Sequence, residues 1–328
     1  MIDCNSVVGH CEVPIRFDTY SGCSHACAYC FVRKKSDISK IEAKRCENEL
    51  RKFIDGHRIG STNWCDWAIP LHWGGVSDPF QKLERNKRVS FGCLKIFAET
   101  KYPFIVSTKG EVIADDDYLE LLKQCNAVVQ ISMVSPRYDT LEKGAPSYEK
   151  RVEMLEKIAP CCKRLIVRHQ PFMPEVLGDV IANLPRIKDK GVYGVIVEGL
   201  VSSVRRPGMI SIGPRRYAYT EEDLRKWFTV IKNECHKNGL VFFCGEDRMR
   251  SLGDSTCCCG CDGLEGFKVN KFTAINIRNG MKILPTPKMK EIGTARCFRV
   301  QTSAKTERLK KSSFAREMID LAKEMSPS

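Results

Sequence analysis

The sequence has no run of 18 apolar residues, so it predicts no membrane-spanning helix. Its first five residues lack the basic start and the apolar core that mark a secretory signal peptide. Apart from an alternation of strands and helices, it contains no internal repeat. These absences predict a cytoplasmic protein with no membrane partner.

Cysteine, in contrast, is abundant: the chain has 18 among its 328 residues, and 43% of it is hydrophobic. A chain of this length and composition can bury a full core, as one large domain or as a domain with an appendage. The cysteines are scattered and do not form the framework of a small secreted domain. We therefore interpret them as reduced thiols and metal ligands and not as disulfides.

The positive charge is concentrated near the end of the chain. The net charge is +13, and the stretch from Lys268 onward holds 14 Lys and Arg against 5 Asp and Glu, which is +9. A helix predicted at 312–324 could lie on the rest of the protein or on a partner. A basic stretch of this kind favours nucleic acid as the partner, with DNA ahead of RNA, although a solvated surface has the same composition.

Three cysteines stand close together at residues 20–31. Cys23, Cys27 and Cys30 are four and three positions apart, so their thiols can converge on one inorganic centre. A [4Fe–4S] cluster normally takes four cysteine thiolates. A triplet with no obvious fourth cysteine nearby leaves one iron open for a substrate or cofactor. The alternative is a closed zinc site completed by His25 or His10.

Hydrophobic segments and amphipathic segments alternate along most of the chain. The predicted strands lie at 13–17, 67–73, 104–108, 128–134, 164–168, 193–197 and 240–243, and the predicted helices at 38–56, 84–101, 116–124, 148–158, 175–190 and 221–238. Such alternation requires right-handed crossovers and a parallel sheet. We expect an α/β fold, a partial (β/α)6-type TIM barrel over residues 1–243, with a Cys-rich and basic C-terminal region at 244–328. The site should lie where the strands end.

The cysteine triplet, with Tyr29 just before its last member, resembles the signature of the radical S-adenosylmethionine (SAM) enzymes. The resemblance implies that Cys23, Cys27 and Cys30 hold a catalytic [4Fe–4S] cluster whose open iron chelates SAM. In that superfamily an electron splits SAM to a 5'-deoxyadenosyl radical, which takes hydrogen from the substrate. It also implies an electron donor such as flavodoxin or ferredoxin.

Three further stretches, 77–84, 107–109 and 130–132, resemble the spore photoproduct lyase family and its photolyase-like relatives. This resemblance implies that Lys109 and Ser132 contact the carboxylate and the ribose of SAM. Gly74 and Gly75 resemble the glycine motif that holds the methionine amino group. Glu84 is expected to cap the helix that begins there.

Two positions depart from that lyase family. Gly75 stands where the lyase has its hydrogen-donating cysteine, and Phe31 stands where it has a tyrosine. Repair of the spore thymine dimer by the lyase route is therefore not expected. Cys65 or Cys93 could replace the missing thiol in space.

Other charged residues follow predicted strands. Arg168 and His169 are expected to face the mouth of the barrel and to bind cofactor or substrate, and Glu198 to bind a ribose hydroxyl or the substrate, unless these residues only stabilise the rim. The segment 201–219 is predicted to be a long basic loop. It carries four arginines expected to contact the substrate: Arg205, Arg206, Arg215 and Arg216.

A second group of cysteines follows the last predicted strand: Cys244, Cys257, Cys258, Cys259 and Cys261. Adjacent cysteines do not readily point at one metal, yet three of these with Cys244 or Cys297 could hold an auxiliary iron–sulfur cluster or a zinc ion.

The sequence thus predicts a radical SAM enzyme that abstracts hydrogen from a base or nucleotide of nucleic acid, as a lyase, isomerase or base-modifying enzyme. Two alternatives remain open. One is a radical SAM enzyme that modifies peptides with an auxiliary cluster, and the other is a non-catalytic zinc protein that binds nucleic acid.

Overall fold

A computed structural model describes residues 2–4, 11–34, 37, 39–57 and 69–269. The predicted helix at 312–324 and three candidate ligands or donors, His10, Cys65 and Cys297, lie outside these residues. Within the described part, no helix is both long enough and apolar enough to cross a membrane.

The described residues form one large sheet and one hairpin. The ten strands are β1 (Ile2–Cys4), β2 (Ile15–Phe17), β3 (Leu71–Trp73), β4 (Phe104–Thr108), β5 (Ala127–Ser132), β6 (Arg164–Phe172), β7 (Gly194–Gly199), β8 (Met209–Gly213), β9 (Arg216–Tyr219) and β10 (Val241–Cys244). The sheet order is β1-β2-β3-β4-β5-β6-β7-β10, and β8 pairs with β9. In this sheet β2 to β7 and β10, seven strands, are parallel to one another, while β1 is antiparallel to β2.

The helices connect successive strands, as a parallel sheet requires. They are α1 (Glu47–Ile54), α2 (Glu84–Lys87), α3 (Val89–Thr100), α4 (Asp116–Leu122), α5 (Tyr148–Ile158), α6 (Leu177–Asp189) and α7 (Glu221–Lys237). Together with the sheet they form the partial barrel of parallel strands and helices that the sequence predicts.

The central strands are apolar on both faces because both faces are covered. Val106, Val129 and Val167 belong to the core shared with the helices. Alternate residues such as Ile105 and Ile166 belong to a second core on the other face, which we call the inner face, where they pack with Cys257, Cys258, Cys259 and Cys261. The described end of the chain therefore fills the inner face of the sheet.

Three predicted elements differ from the structure. The helix predicted at 38–56 is only α1, because Tyr20 forms a β-bridge with Ala43 and holds the preceding residues extended. The basic loop predicted at 201–219 contains the β8–β9 hairpin. The helix predicted at 84–101 is broken at Arg88, which has a left-handed φ of 51°.

Glu84 explains how the chain tolerates that break. Its carboxylate is completely buried and accepts the backbone N–H groups of Ser90 (3.0 Å) and Phe91 (2.8 Å), so it caps α3 rather than only its own helix. The hydroxyls of Tyr20 and Tyr118 donate to the same carboxylate. One acidic side chain thus joins the cysteine loop, α3 and α4.

Replacing Glu84 should destabilise the whole fold. Glu84→Ala leaves two hydroxyls and two backbone N–H groups in the core without their acceptor, at a cost of about 3 kcal/mol or more. Urea unfolding followed by circular dichroism measures this loss. Glu120→Ala is the control, since Glu120 is 69% exposed and pairs with Lys123 at the surface, and it should change stability by less than about 0.5 kcal/mol. Equal midpoints for the two variants would contradict the structural role of Glu84.

Candidate active site

The loop that carries the cysteine triplet follows β2 and is held by the loop after β3. The backbone N–H of Ser24 donates to Oε1 of Gln81 (2.7 Å), and Nε2 of Gln81 donates to the carbonyl of Gly22 (3.1 Å). On the other side, the N–H of Ala28 donates to the carbonyl of Leu141 (2.8 Å). Fixed on both sides, the loop keeps its three thiols at the carboxyl end of the sheet.

A buried ion pair fixes the middle of this loop. Nε2 of His25 lies 3.0 Å from Oδ2 of Asp78, and its Nδ1 lies 3.2 Å from the carbonyl oxygen of Gly144. Burial alone would raise the pKa of Asp78, but the pairing with His25 and the hydrogen bonds from Thr108 and Lys109 lower this pKa to about 2. Since both ring nitrogens of His25 are engaged, this residue is not available to complete a zinc site in this arrangement.

The surroundings of the three thiols fit a metal cluster. The sulfur of Cys23 accepts the backbone N–H groups of His25 and Asp78, the kind of bond that stabilises a bound thiolate. Burial raises the pKa of the Cys27 thiol, and the positive charge of Lys109 opposes this shift. Among the described residues no three Cys, His, Asp or Glu side chains already surround a common metal position. By its chemistry alone the donor set, Cys23, Cys27 and Cys30, fits a three-cysteine cluster, and these residues would hold it.

Tyr29, Lys109 and Ser132, which the sequence associates with SAM, meet around a second buried acid. The hydroxyl of Tyr29 donates to Glu142, which is 2% exposed, and Nζ of Lys109 lies 3.9 Å from the same carboxylate. Arg151, fully buried, lies 2.6 Å from Glu142 and donates to the carbonyl of Ser132 (2.7 Å). Sequence reasoning missed Glu142 and Arg151, because they lie on the segment and helix after β5, far along the chain from the cysteines.

The two glycines after β3 also lie at this end of the sheet. Gly74 has a φ of 89°, and a Cβ there would lie 2.3 Å from the carbonyl oxygen of Ser107, so no other residue fits. Gly75 lies against the side chain of Arg16. The loop also contacts β2, where the N–H of Gly74 donates to the carbonyl of Phe17 (3.1 Å).

A row of polar side chains crosses the inner face of the sheet. Nε2 of His72 lies 2.9 Å from Oγ of Ser107, which donates to Oε1 of Gln130 (2.8 Å). Arg168 donates to the same oxygen of Gln130 (3.2 Å) and to Glu198 (3.1 Å). Burial, with a smaller contribution from Arg168, lowers the pKa of His72 to about 3, so this imidazole is neutral near pH 7.

We call these five residues the polar row. Arg168 and Glu198 were predicted site residues, and the structure brings them together. His72, Ser107 and Gln130 were not predicted as site residues. Their signal is a polar residue at an inward position of an otherwise apolar strand, as with Gln130 among Val128, Val129 and Ile131.

His169 does not face the barrel mouth as predicted. Side chains alternate along β6, so His169 points to the helix-facing side with Val167 while Arg168 points inward. Its Nδ1 lies 2.6 Å from the carbonyl oxygen of Met133, the side chain is completely buried, and burial lowers its pKa to about 4. In this structure it is a neutral core residue.

The predicted basic loop is the β8–β9 hairpin, and it stands beside the open end of the barrel. Arg206 pairs with Glu175 (2.9 Å), which follows the end of β6. Arg205, Arg215 and Arg216 are exposed. Four apolar side chains of the segment 201–219 are exposed as well: Val201, Val204, Ile210 and Ile212.

The second cysteine group lies beneath the polar row. Nε2 of Gln130 donates to the carbonyl of Cys259 (3.0 Å), and Arg164 donates to the carbonyls of Gly260 and Asp262 (2.9 and 2.8 Å). Cys257, Cys258, Cys259 and Cys261 are all buried there. Cys244 belongs instead to the helix-facing core, so the structure does not group it with the other four.

Comparisons with known proteins identify relatives in sequence and in fold. Residues 18–168 match the model of the Radical SAM superfamily. Spore photoproduct lyase complexed with dinucleoside spore photoproduct superposes with a TM-score of 0.55 at 13% identity, covering 70% of this chain and 76% of the lyase. Streptococcus suis SuiB bound to S-adenosylmethionine superposes with a TM-score of 0.51 at 12% identity, covering 72% and 51%. At such low identities, these superpositions show a common fold and nothing about function.

Two mycobacterial proteins are similar in sequence. Uncharacterized proteins of Mycobacterium tuberculosis and Mycobacterium bovis are each 25% identical to this chain over 212 residues, which is 60% of this chain. The chain spans 62% of the length of these relatives.

Residues 18–168, which include the cysteine triplet, are thus similar to the Radical SAM superfamily. The partial barrel of parallel strands is similar in fold to spore photoproduct lyase. The superfamily implies a [4Fe–4S] cluster and SAM as cofactors.

The contact between Gly144 and the cysteine loop should be required for loading the cluster. In Gly144→Ala the new Cβ would lie 2.0 Å from the carbonyl oxygen of Ser24, so the loop must shift. We expect the iron content after anaerobic reconstitution to fall severalfold, with little change in the melting temperature. Gly178→Ala is the matched control, because a Cβ there meets nothing within 4 Å. Full iron loading of Gly144→Ala would contradict this role of the contact.

Proposed function

We propose that this radical SAM enzyme removes a hydrogen atom from a base or nucleotide of nucleic acid, with DNA as the favoured substrate. One observation supports the proposal most strongly. The cysteine loop, the polar row and the β8–β9 hairpin with its arginines all lie at or near the carboxyl ends of the strands of one parallel sheet. In barrels of this kind the active site lies at that side.

Within the proposal, each group of residues has a separate task. Cys23, Cys27 and Cys30 hold the cluster, which with SAM bound supplies the radical that abstracts hydrogen. Lys109 offers its cationic amine to the SAM carboxylate, as Ser132 offers its hydroxyl to the ribose. Tyr29, fixed by Glu142, and the backbone of Gly74 and Gly75 complete the proposed cofactor contacts.

The polar row suits a flat heterocycle. His72 is neutral, Gln130 carries both an amide donor and an amide acceptor, and Arg168 and Glu198 provide opposite charges at the edge of the row. Together they can donate and accept hydrogen bonds to the edge of a base, which is how proteins read a base taken out of its stack. A base that reaches the inner face must be flipped or single-stranded, at an unstacking cost of a few kcal/mol.

The hairpin supports a polymeric substrate. Arg205, Arg215 and Arg216 are exposed beside the open end and can neutralise phosphates on either side of a flipped base. Spore photoproduct lyase, whose fold this chain shares, has been solved with a dinucleoside photoproduct. The basic stretch from residue 270 onward lies outside the described residues and adds to the argument only through its composition.

The chemistry should differ from that of the lyase. Phe31 is 52% exposed and has no hydroxyl, and Gly75 has no thiol. Cys93 cannot take the place of the missing thiol in this structure, because it is completely buried in α3 with its sulfur 3.5 Å from that of Cys46. We therefore propose a base modification or a different repair reaction.

A peptide substrate is the second candidate, and the apolar part of the hairpin favours it. Val204 is 70% exposed, and Ile210 and Ile212 are nearly half exposed. Apolar side chains clustered at the surface commonly mark a protein-binding site. Nucleic acid remains the better proposal. Among the described residues Arg205, Arg215 and Arg216 form no ion pair with an acidic side chain, whereas Arg206 pairs with Glu175.

Removing the hairpin arginines should weaken nucleic-acid binding and its salt dependence. For Arg205→Gln/Arg215→Gln/Arg216→Gln, we expect the slope of log affinity against log salt to become shallower by about 2 to 3, at about 0.9 per lost phosphate contact on duplex and 0.7 on single strands. Fluorescence anisotropy with DNA and RNA oligonucleotides at several salt concentrations measures the slope.

The control for this experiment removes the same number of positive charges from the helix layer. Arg51→Gln/Lys123→Gln/Lys150→Gln changes three side chains that are each about half exposed and should leave the slope nearly unchanged. Undetectable or salt-independent binding by the unaltered chain would remove nucleic acid as the substrate and favour the peptide.

A further inference from the structure

Four thiols that the radical SAM domain does not use are in contact under the polar row. The sulfurs of Cys257 and Cys261 are 3.4 Å apart, and those of Cys258 and Cys259 are 4.0 Å apart. All four side chains are buried, in a core that also contains Cys11 and whose other buried members are Ile, Val and Phe side chains. Apolar packing requires no such concentration of sulfur, since a single buried cysteine acts as a small hydrophobe.

These separations match one kind of metal site. Zinc binds thiolates at about 2.3 Å with tetrahedral geometry, which places neighbouring sulfurs about 3.8 Å apart. The two observed distances lie on either side of this value. An iron–sulfur cube would instead bind each thiolate to a different iron, and the sulfurs would have to stand farther apart. Cys258 and Cys259 are adjacent in sequence, yet their sulfurs approach each other.

The backbone of the segment is arranged to support a thiolate. The N–H groups of Cys259 and Cys261 both point at the sulfur of Cys257. The turn that allows this includes Gly260, whose φ is 71° and where a Cβ would lie 1.9 Å from Cδ1 of Ile166. Hydrogen bonds of this type orient metal ligands and stabilise their charge.

Two arginines offset the negative charge that such a site would carry. Arg250 is 6% exposed, and its positive charge acts on Cys258. The positive charge of Arg168, in the polar row, acts on the same sulfur. A buried group of thiolates would be costly without compensating charge, so these arginines make an anionic metal–thiolate centre tolerable here.

We propose that Cys257, Cys258, Cys259 and Cys261 bind one tetrahedral zinc-type divalent ion that pins residues 255–269 to the inner face of the sheet. In the described residues no three donors already surround a common point, so binding must move at least one of these side chains. The thiols release their protons to solvent as the metal binds, and binding is tighter at higher pH. The ion is structural: it has four protein ligands, leaves no open position, and fixes the segment whose Cys259 carbonyl accepts a hydrogen bond from Gln130.

The proposal is tested in a chain that lacks the first cysteine group. In anaerobically purified Cys23→Ala/Cys27→Ala/Cys30→Ala, we expect about one zinc ion per chain by elemental analysis. Replacement of zinc by Co²⁺ should give the absorption bands of tetrahedral thiolate coordination. Adding Cys257→Ser/Cys261→Ser in this background should abolish both signals.

A matched pair of thiols provides the control. Cys46 and Cys93 are equally buried and 3.5 Å apart, and within the part of the chain that the structure describes no third cysteine joins them in a metal-binding group. Cys46→Ser/Cys93→Ser should therefore keep the zinc and the cobalt bands. The unaltered chain gives an independent measurement if a variant fails to fold: zinc should be present beside the iron of the first cluster, and a strong chelator should lower the melting temperature.

Three results would overturn the proposal. One is a folded chain that contains no zinc and takes up no cobalt. Another is iron with acid-labile sulfide at Cys257–Cys261 instead of a single ion. The third is equal loss of metal in the Cys46/Cys93 control.

Discussion

The buried carboxylate of Asp78 is the contact on which the candidate active site depends. Its two oxygens accept hydrogen bonds from Thr108 and from the backbone of Lys109, and pair with His25 in the cysteine loop. Its own backbone N–H points at the sulfur of Cys23. Asp78, which lies in the loop after β3, thus joins the end of β4 to the loop after β2. Asp78 is only 7% exposed, and its charged carboxylate is stable there because each oxygen has a hydrogen-bond or ionic partner. The ends of the strands and the cysteine loop must therefore stay at fixed positions relative to each other.

The inner face of the sheet has two layers with different chemistry. The polar row, from His72 to Glu198, offers hydrogen bonds, while the four thiols below it are packed among apolar side chains. Gln130 connects the layers through the carbonyl of Cys259. The segment after β10 is therefore the floor of the candidate site. A proposed metal ion in this floor would keep the polar row in place.

Sequence patterns predicted the seven parallel strands, because buried strands are short apolar runs, and they singled out the cysteine triplet, whose members lie within eight residues. They failed where a contact crosses the fold. Glu84 stabilises the break of the helix at Arg88. A β-bridge from Tyr20 to Ala43 keeps α1 short. Arg164 and Gln130 hold the segment Cys257–Cys261 against the inner face by hydrogen bonds to its backbone. His169 was misplaced for a smaller reason: a neighbour in the strand points to the opposite face, and the polar residue that faces inward is Arg168.

The central claim is that Cys23, Cys27 and Cys30 carry radical SAM chemistry, and formation of 5'-deoxyadenosine tests it most directly. The chain should be reconstituted anaerobically with iron and sulfide, reduced in the presence of SAM, and assayed by chromatography. We predict that the unaltered chain and Cys46→Ser/Cys93→Ser form 5'-deoxyadenosine, and that Cys23→Ala/Cys27→Ala/Cys30→Ala forms none above background. Formation of 5'-deoxyadenosine by this triple variant would contradict the assignment of the active site.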